Sequence, residues 1–209
     1  MHQPLAAASL ESAGSSALPH RIYCVTPDQP SLVRENLLLR PIGPTDSARI
    51  CELAGHREIA ANTTRIPHPY TEEDAREWIG AQYEEFKRGE QLNFAIIERS
   101  SGELIGLCGL SRINREYESA EIGYWIGRQY WNRGHATGAV TALVDYAFRI
   151  LGLNRVYSRY MRRNPASGRV LAKCGFVHEG TLRQHVKKWG KFEDIEMAAI
   201  LKEDYLRND

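Results

Sequence analysis

Apolar residues recur three and four apart through Ala136, Ala139, Val140, Leu143, Val144, Ala147, Ile150 and Leu151, a stripe that predicts an amphipathic helix ended by Gly152. A second helical spacing runs through Ala75, Trp78, Ile79, Gln82, Tyr83 and Phe86. Thr71 is its predicted cap, Glu72, Glu73 and Asp74 suit the positive end of its dipole, and Gly89 stops it. Two apolar runs, 92–98 and 103–111, flank Arg99-Ser100-Ser101-Gly102 and read as a hairpin, with residues 119–126 as the next strand. Upstream, Asn36 to Pro41 reads as a short strand, and Thr45 and Asp46 offer caps for a helix through Ile50, Leu53 and Ile59. Residues 62–70 read as a loop held extended by Pro67 and Pro69. Downstream, residues 155–161 read as a strand, and Pro165 opens a short helix carrying Val170 and Leu171 up to Gly175. Strands at 176–179 and 194–201 are expected to close the sheet around a basic loop, 183–191.

This order predicts an α/β fold with an α+β flavour: a mixed six- to seven-stranded sheet flanked by about four helices. A single domain over residues 34–209 is expected, after an Ala-, Ser- and Pro-rich leader over 1–33 that shows no periodicity. Of the 209 residues, 43% are hydrophobic and 25% charged, the balance of an ordinary globular chain. The formal net charge of +1 argues against nucleic-acid binding as the general function. Locally, Arg159, Arg162, Arg163 and Arg169 cluster, as do Arg183, Lys187, Lys188 and Lys191. Each cluster is either a solvated face or a partner for phosphates. Cys24, Cys51, Cys108 and Cys174 are too far apart for a metal-type pair and form no disulfide framework, so a reducing cytoplasm and no metal are expected. No apolar run approaches the ~18 residues of a membrane span, and residues 1–20 lack the pattern of a secretory signal.

The candidate chemistry lies in Tyr130-Trp131-Asn132-Arg133-Gly134-His135-Ala136-Thr137, between the strand 119–126 and the long helix. A helix start carries unpaired amides and the positive end of the macrodipole, Gly134 and Ala136 keep the turn thin, and Arg133 adds a charge. A diphosphate is the natural ligand of such a turn. His135 is expected to serve there through its backbone. The chain has no His-Glu-x-x-His, no Gly-x-Ser-x-Gly and no Gly-Lys-Ser/Thr phosphate loop.

Four segments in order, Leu38-Leu39-Arg40-Pro41, Ile66 to Thr71, Trp131 to Thr137, and Asn164-Pro165-Ala166-Ser167 leading to Cys174-Gly175-Phe176, resemble the GNAT N-acetyltransferases over roughly residues 35–205. The likeness is greatest to the branch with the ribosomal-protein N-terminal acetyltransferases RimJ and RimL. It implies an acetyl-CoA-dependent N-acetyltransferase that works in a ternary complex on a primary amine, either a protein N-terminus or a small molecule. Acetyl-CoA would be held by Trp125, Ile126 and Gly127 at the strand end, by Arg133, Gly134, His135, Ala136, Thr137 and Gly138 around the diphosphate, and by Asn164 on the pantetheine arm.

For catalysis the resemblance implies Glu121 as general base and Ser167 as general acid. On an alternating strand Glu121 shares a face with Gly123 and Trp125. The alternatives are a structural carboxylate paired with Arg40 or Arg112 and a helix-start serine bonded to backbone. Leu171 stands where many relatives carry a tyrosine, so Tyr157 or Tyr160 would have to replace it from elsewhere. Val186 stands where RimL-like enzymes carry a glutamate, with His185 beside it. Those departures leave a non-catalytic acyl-CoA-binding protein as the alternative function. The acceptor pocket is expected between residues 62–70, 112–117 and 182–192. The basic loop suits an acidic acceptor or a ribose phosphate, and a homodimer is compatible with the sequence.

Overall fold

The computed structural model describes residues 29–207. Eight strands form one sheet in the order β1-β2-β3-β4-β5-β6-β8-β7: β1 Leu32–Arg34, β2 Leu37–Pro41, β3 Leu92–Glu98, β4 Glu103–Asn114, β5 Ser119–Ile126, β6 Arg155–Met161, β7 Val177–Lys188 and β8 Lys191–Leu201. Six α-helices accompany them: α1 Ser47–Ala54, α2 Arg57–Asn62, α3 Glu72–Lys87, α4 His135–Arg149, α5 Pro165–Lys173 and α6 Lys202–Arg207. The sheet thus exceeds the expected six to seven strands, and α2 and α6 raise the helix count.

Each departure has a local cause. The expected helix through Ile59 breaks after Gly55, where His56 takes an extended conformation (ψ 128°), and resumes as α2. Strand β1 adds an outer edge within the expected leader, pairing Leu32 with Leu39; residues 1–28 of that leader lie outside the described residues. The basic segment 183–191 is not a loop but the end of a hairpin, β7 paired antiparallel with β8 and turning at Trp189 and Gly190. Its side chains are mostly exposed and polar, and the register of β7 shifts at the start of this segment, so no alternation marks it. Charged, bulged edge strands are a common guard against edge-to-edge pairing.

The core sits between the sheet and its helices. Ala139, Val140, Leu143, Val144, Ala147 and Phe148 of α4 are buried against the even-numbered face of β5, where Ala120, Ile122 and Ile126 point. Each large side chain buried there contributes roughly 1.5–3 kcal/mol. Helix α3 begins as its sequence dictates: the Thr71 hydroxyl accepts from the Asp74 amide at 3.1 Å and the Asp74 carboxylate accepts from the Thr71 amide at 2.7 Å. At the start of α1, Asp46 caps nothing with its side chain; it joins β2 to the turn before α1 by accepting from both Arg40 nitrogens, at 2.8 and 2.7 Å, and from the Gly43 amide at 2.9 Å.

Candidate active site

One feature of the sheet creates the site. Strands β5 and β6 are parallel and pair only at Ser119–Arg155, Ala120–Val156 and Glu121–Tyr157. Beyond that β5 continues beside β4 to Ile126, while β6 continues beside β8 to Met161. The two strands part, and a side chain bridges the start of the gap: the buried Ser158 hydroxyl donates to the Ile122 carbonyl at 3.0 Å. Past Ile122, the β6-side edge of β5 is open to added partners, the geometry that β-augmentation uses.

The gap leads to the glycine turn. The indole Nε1 of Trp131 donates to the Ile126 carbonyl at 2.6 Å and ties the turn to the end of β5. At Gly127 an added Cβ would lie 2.8 Å from Leu53 Cδ2, so a larger residue there would have to displace that α1 side chain. Gly134 precedes α4 with φ +81°, in the left-handed region, and open space surrounds the position of its missing Cβ. Its carbonyl accepts the first helical bond, from the Gly138 amide at 2.9 Å. The amides of His135, Ala136 and Thr137 therefore have no helical acceptor. Arg133 is exposed, its guanidinium 5.8 Å from the Tyr130 ring. The imidazole of His135 points away, with Nε2 3.3 Å from Glu98 Oε1 but without hydrogen-bond alignment.

Across the gap, Asn164 caps α5, its side-chain oxygen accepting from the Ser167 amide at 3.4 Å. Helix α5 is tied to α4 through Cys174, whose Sγ lies 3.5 Å from Thr141 Oγ1. Ser167 Oγ is 2.9 Å from the Tyr124 hydroxyl, which also donates to the Ser167 carbonyl at 3.1 Å. Burial drives the Tyr124 phenol far above its ordinary pKa, and the bond to Ser167 offsets only part of that, so it stays protonated at neutral pH. Tyr124 is the site residue that sequence reasoning missed: it reads as one more aromatic on an alternating strand, and only the fold shows α5 over it. Leu171 is buried, and Tyr160 lies beside Gly168 on α5.

Glu121 lies on the other face of β5, as the alternation predicts. Arg159 Nε and Nη2 hold its carboxylate at 2.9 and 2.8 Å, and Arg112 Nε adds a third contact at 3.0 Å. A bulge between Ser111 and Asn114, with Arg112 at φ +53°, aims that guanidinium at the carboxylate. Of the two arginines named for the alternative, a structural pairing, Arg112 is in contact with Glu121, whereas Arg40 belongs to Asp46. The two outer segments expected around an acceptor also meet: Lys188 Nζ donates to the Ile66 carbonyl at 2.7 Å, and the Arg57 guanidinium stacks 4.8 Å from the Trp189 ring. His185 lies exposed on β7.

Among the described residues no group of His, Cys, Asp or Glu could hold a metal ion, and no helix is long and apolar enough to cross a membrane. A cavity of about 620 Å³ lies away from this chemistry, between α3 and β3, with Ile79, Tyr83, Phe86 and Asn93 among its walls.

A family model described as an acetyltransferase (GNAT) domain matches residues 36–177. A probable N-acetyltransferase of Bacillus subtilis, YjcK, is 40% identical over 174 residues, 81% of this chain and 96% of that protein. The solved structure of Mycobacterium smegmatis RimJ in complex with CoA-disulfide superimposes with a TM-score of 0.76 at 25% identity, covering 86% of this chain and 90% of that one. Spermidine N-acetyltransferase from Vibrio cholerae, in complex with CoA and spermine, does so with a TM-score of 0.73 at 27% identity, covering 83% and 99%.

Proposed function

This chain belongs to the GNAT acetyltransferase family and is an N-acetyltransferase, and from that premise we propose that it moves an acetyl group from acetyl-CoA to a primary amine by direct transfer, with both substrates bound together. The observation that carries the reading is the parting of β5 from β6 directly in front of the Gly134 turn. The donor set suits the cosubstrate. Unpaired amides of His135, Ala136 and Thr137, with Arg133 beside them, match a diphosphate. The open edge of β5 over Trp125, Ile126 and Gly127 matches the amides of a pantetheine arm, and Asn164, at the start of α5, would hold that arm from the other side. Gly138 keeps α4 close to β2, where an added Cβ would lie 3.0 Å from Leu37. Structures of relatives with CoA support the same assignment.

Bound acetyl-CoA supplies an activated acetyl thioester, and the chain supplies position and proton handling. Fixing a long cofactor at both ends holds its reactive carbon against the amine. Amides on the open edge of β5 donate hydrogen bonds where negative charge develops on the carbonyl oxygen. Ser167 Oγ gives its proton to the departing sulfur, and the Tyr124 hydroxyl, 2.9 Å from that oxygen and donating to the Ser167 carbonyl, holds it in place. Glu121 accepts the amine proton. Because Arg159 and Arg112 hold its oxygens, it does so through a water or after one guanidinium turns to the acceptor. The acceptors named for relatives, spermine and ribosomal protein, are both primary amines.

Initial rates at varied acetyl-CoA and amine test the direct transfer. Intersecting double-reciprocal lines are expected, and parallel lines, the mark of a covalent enzyme intermediate, would refute it. In the same assay Glu121→Gln is expected to lower kcat by about 100-fold at pH 7, with an unchanged dissociation constant for acetyl-CoA. Wild-type turnover in this variant would remove Glu121 from the chemistry and leave it a structural ion-pair partner.

A further inference from the structure

On the face of the sheet opposite α4 and α5, two carboxylates near the end of β6 are already held by arginines. Glu121 is held by Arg159 and Arg112, and Glu193 pairs with Arg163 at 2.8 Å. Arg163 also reaches the Ala61 carbonyl, which places it at the α2 side of the cleft. Beyond it, at the hairpin tip, stands Lys188.

Lys188 is the unusual member. It is only 9% exposed, its ammonium donates to the Ile66 carbonyl at 2.7 Å and lies 5.5 Å from the Trp189 ring, and it forms no ion pair among the described residues. An ammonium has three protons to donate, and burying one without a counter-charge is costly. Burial, and then the nearby Arg163, lower its pKa. Such a group is relieved by an anion that arrives with the ligand. A polyamine would bring further positive charge to the uncompensated Lys188, and would find Glu121 and Glu193 engaged by arginines.

Resting on the acetyltransferase reading, we infer that the acceptor bears a carboxylate close to its primary amine, received by Lys188 together with Arg163, and that polyamines are not its substrates. The carboxylate can belong to a free amino acid or to an acidic residue near a peptide N-terminus; both present the same chemistry.

The test measures thiol release from acetyl-CoA with full-length protein and three sets of acceptors: free L-amino acids and their amides, N-terminal peptides differing only in Asp or Asn at the second position, and spermidine with spermine. At least one carboxylate-bearing acceptor is expected to exceed spermidine in kcat/KM by about tenfold or more, and to lose a similar factor as its amide. The set that responds identifies the source. Lys188→Gln is expected to raise KM for that acceptor about tenfold while KM for acetyl-CoA stays unchanged, with partial rescue by Lys188→Arg. Preference for spermidine, equal use of acid and amide, or no turnover of any carboxylate-bearing acceptor by a protein that binds acetyl-CoA would overturn the inference. Should Lys188→Gln fail to fold, the acid-to-amide comparison on wild type decides alone. Failure of wild type to bind acetyl-CoA would instead overturn the parent reading.

Discussion

Ser167 and Tyr124 show how little of a residue's surroundings its own position reveals. Ser167 sits three residues after the capping Asn164 and reads equally well as a helix-start serine; what distinguishes it is a phenol 2.9 Å away from another strand. Ser167→Ala is expected to lower kcat by about 100-fold and Tyr124→Phe by about tenfold, both with unchanged acetyl-CoA affinity by calorimetry. Equal activity in either variant would remove that residue from the proton path. A second residue-scale prediction concerns Asp46. Burial alone would raise its carboxyl, but hydrogen bonds from Arg40 and the Gly43 amide outweigh it and hold the pKa below the ordinary value. The unfolded chain therefore binds the proton more readily, so this stabilisation is present above the ordinary carboxylate range and is lost as pH falls through the lowered folded value. Asp46→Asn should cost about 1.5–3 kcal/mol at pH 7, and urea unfolding should show the gap from wild type closing below about pH 4. A gap independent of pH would refute the assignment.

Among the elements, those with one strong period were readable and those without were not. Strands β5 and β6 and helix α4 stand where alternation and the apolar stripe put them, because each buries one face against a single partner layer. The tip of β7 was not readable: an edge strand of Arg183, His185, Lys187 and Lys188 with a bulge carries no apolar face. Nor was the break at His56 visible, since apolar spacing continues from Leu53 to Ile59 across it. The divergence of β5 from β6, on which the proposed cosubstrate site rests, is bridged at its mouth by Ser158. Removing its hydroxyl leaves the Ile122 carbonyl without that donor, so Ser158→Ala is expected to cost about 1–2 kcal/mol in unfolding free energy. It should also weaken acetyl-CoA binding severalfold, as the mouth of the gap loosens. Loss of stability with unchanged binding would show that the bridge is structural only.

At the scale of the whole molecule, the sheet brings two distant stretches to one gap, the turn 131–138 from its middle and α5 from beyond β6, while the hairpin tip closes on residues 57–68. The sequence carried the chemistry of the first two as local motifs. Which carboxylates were neutralised, which phenol met Ser167 and how the hairpin reached the α2–α3 segment are long-range facts, set by pairing between residues 38 to 122 positions apart. The central claim is that the parted strands and the Gly134 turn hold acetyl-CoA. Calorimetric titration of wild type and Gly134→Glu with acetyl-CoA tests it most directly. The substitution forces a side chain into the left-handed region, costing ~1–2 kcal/mol, and puts a negative charge where the diphosphate would lie. Micromolar binding by wild type, lost by at least about 100-fold in a variant that still unfolds cooperatively, is the predicted result. No binding by wild type, or equal binding by the variant, would contradict it.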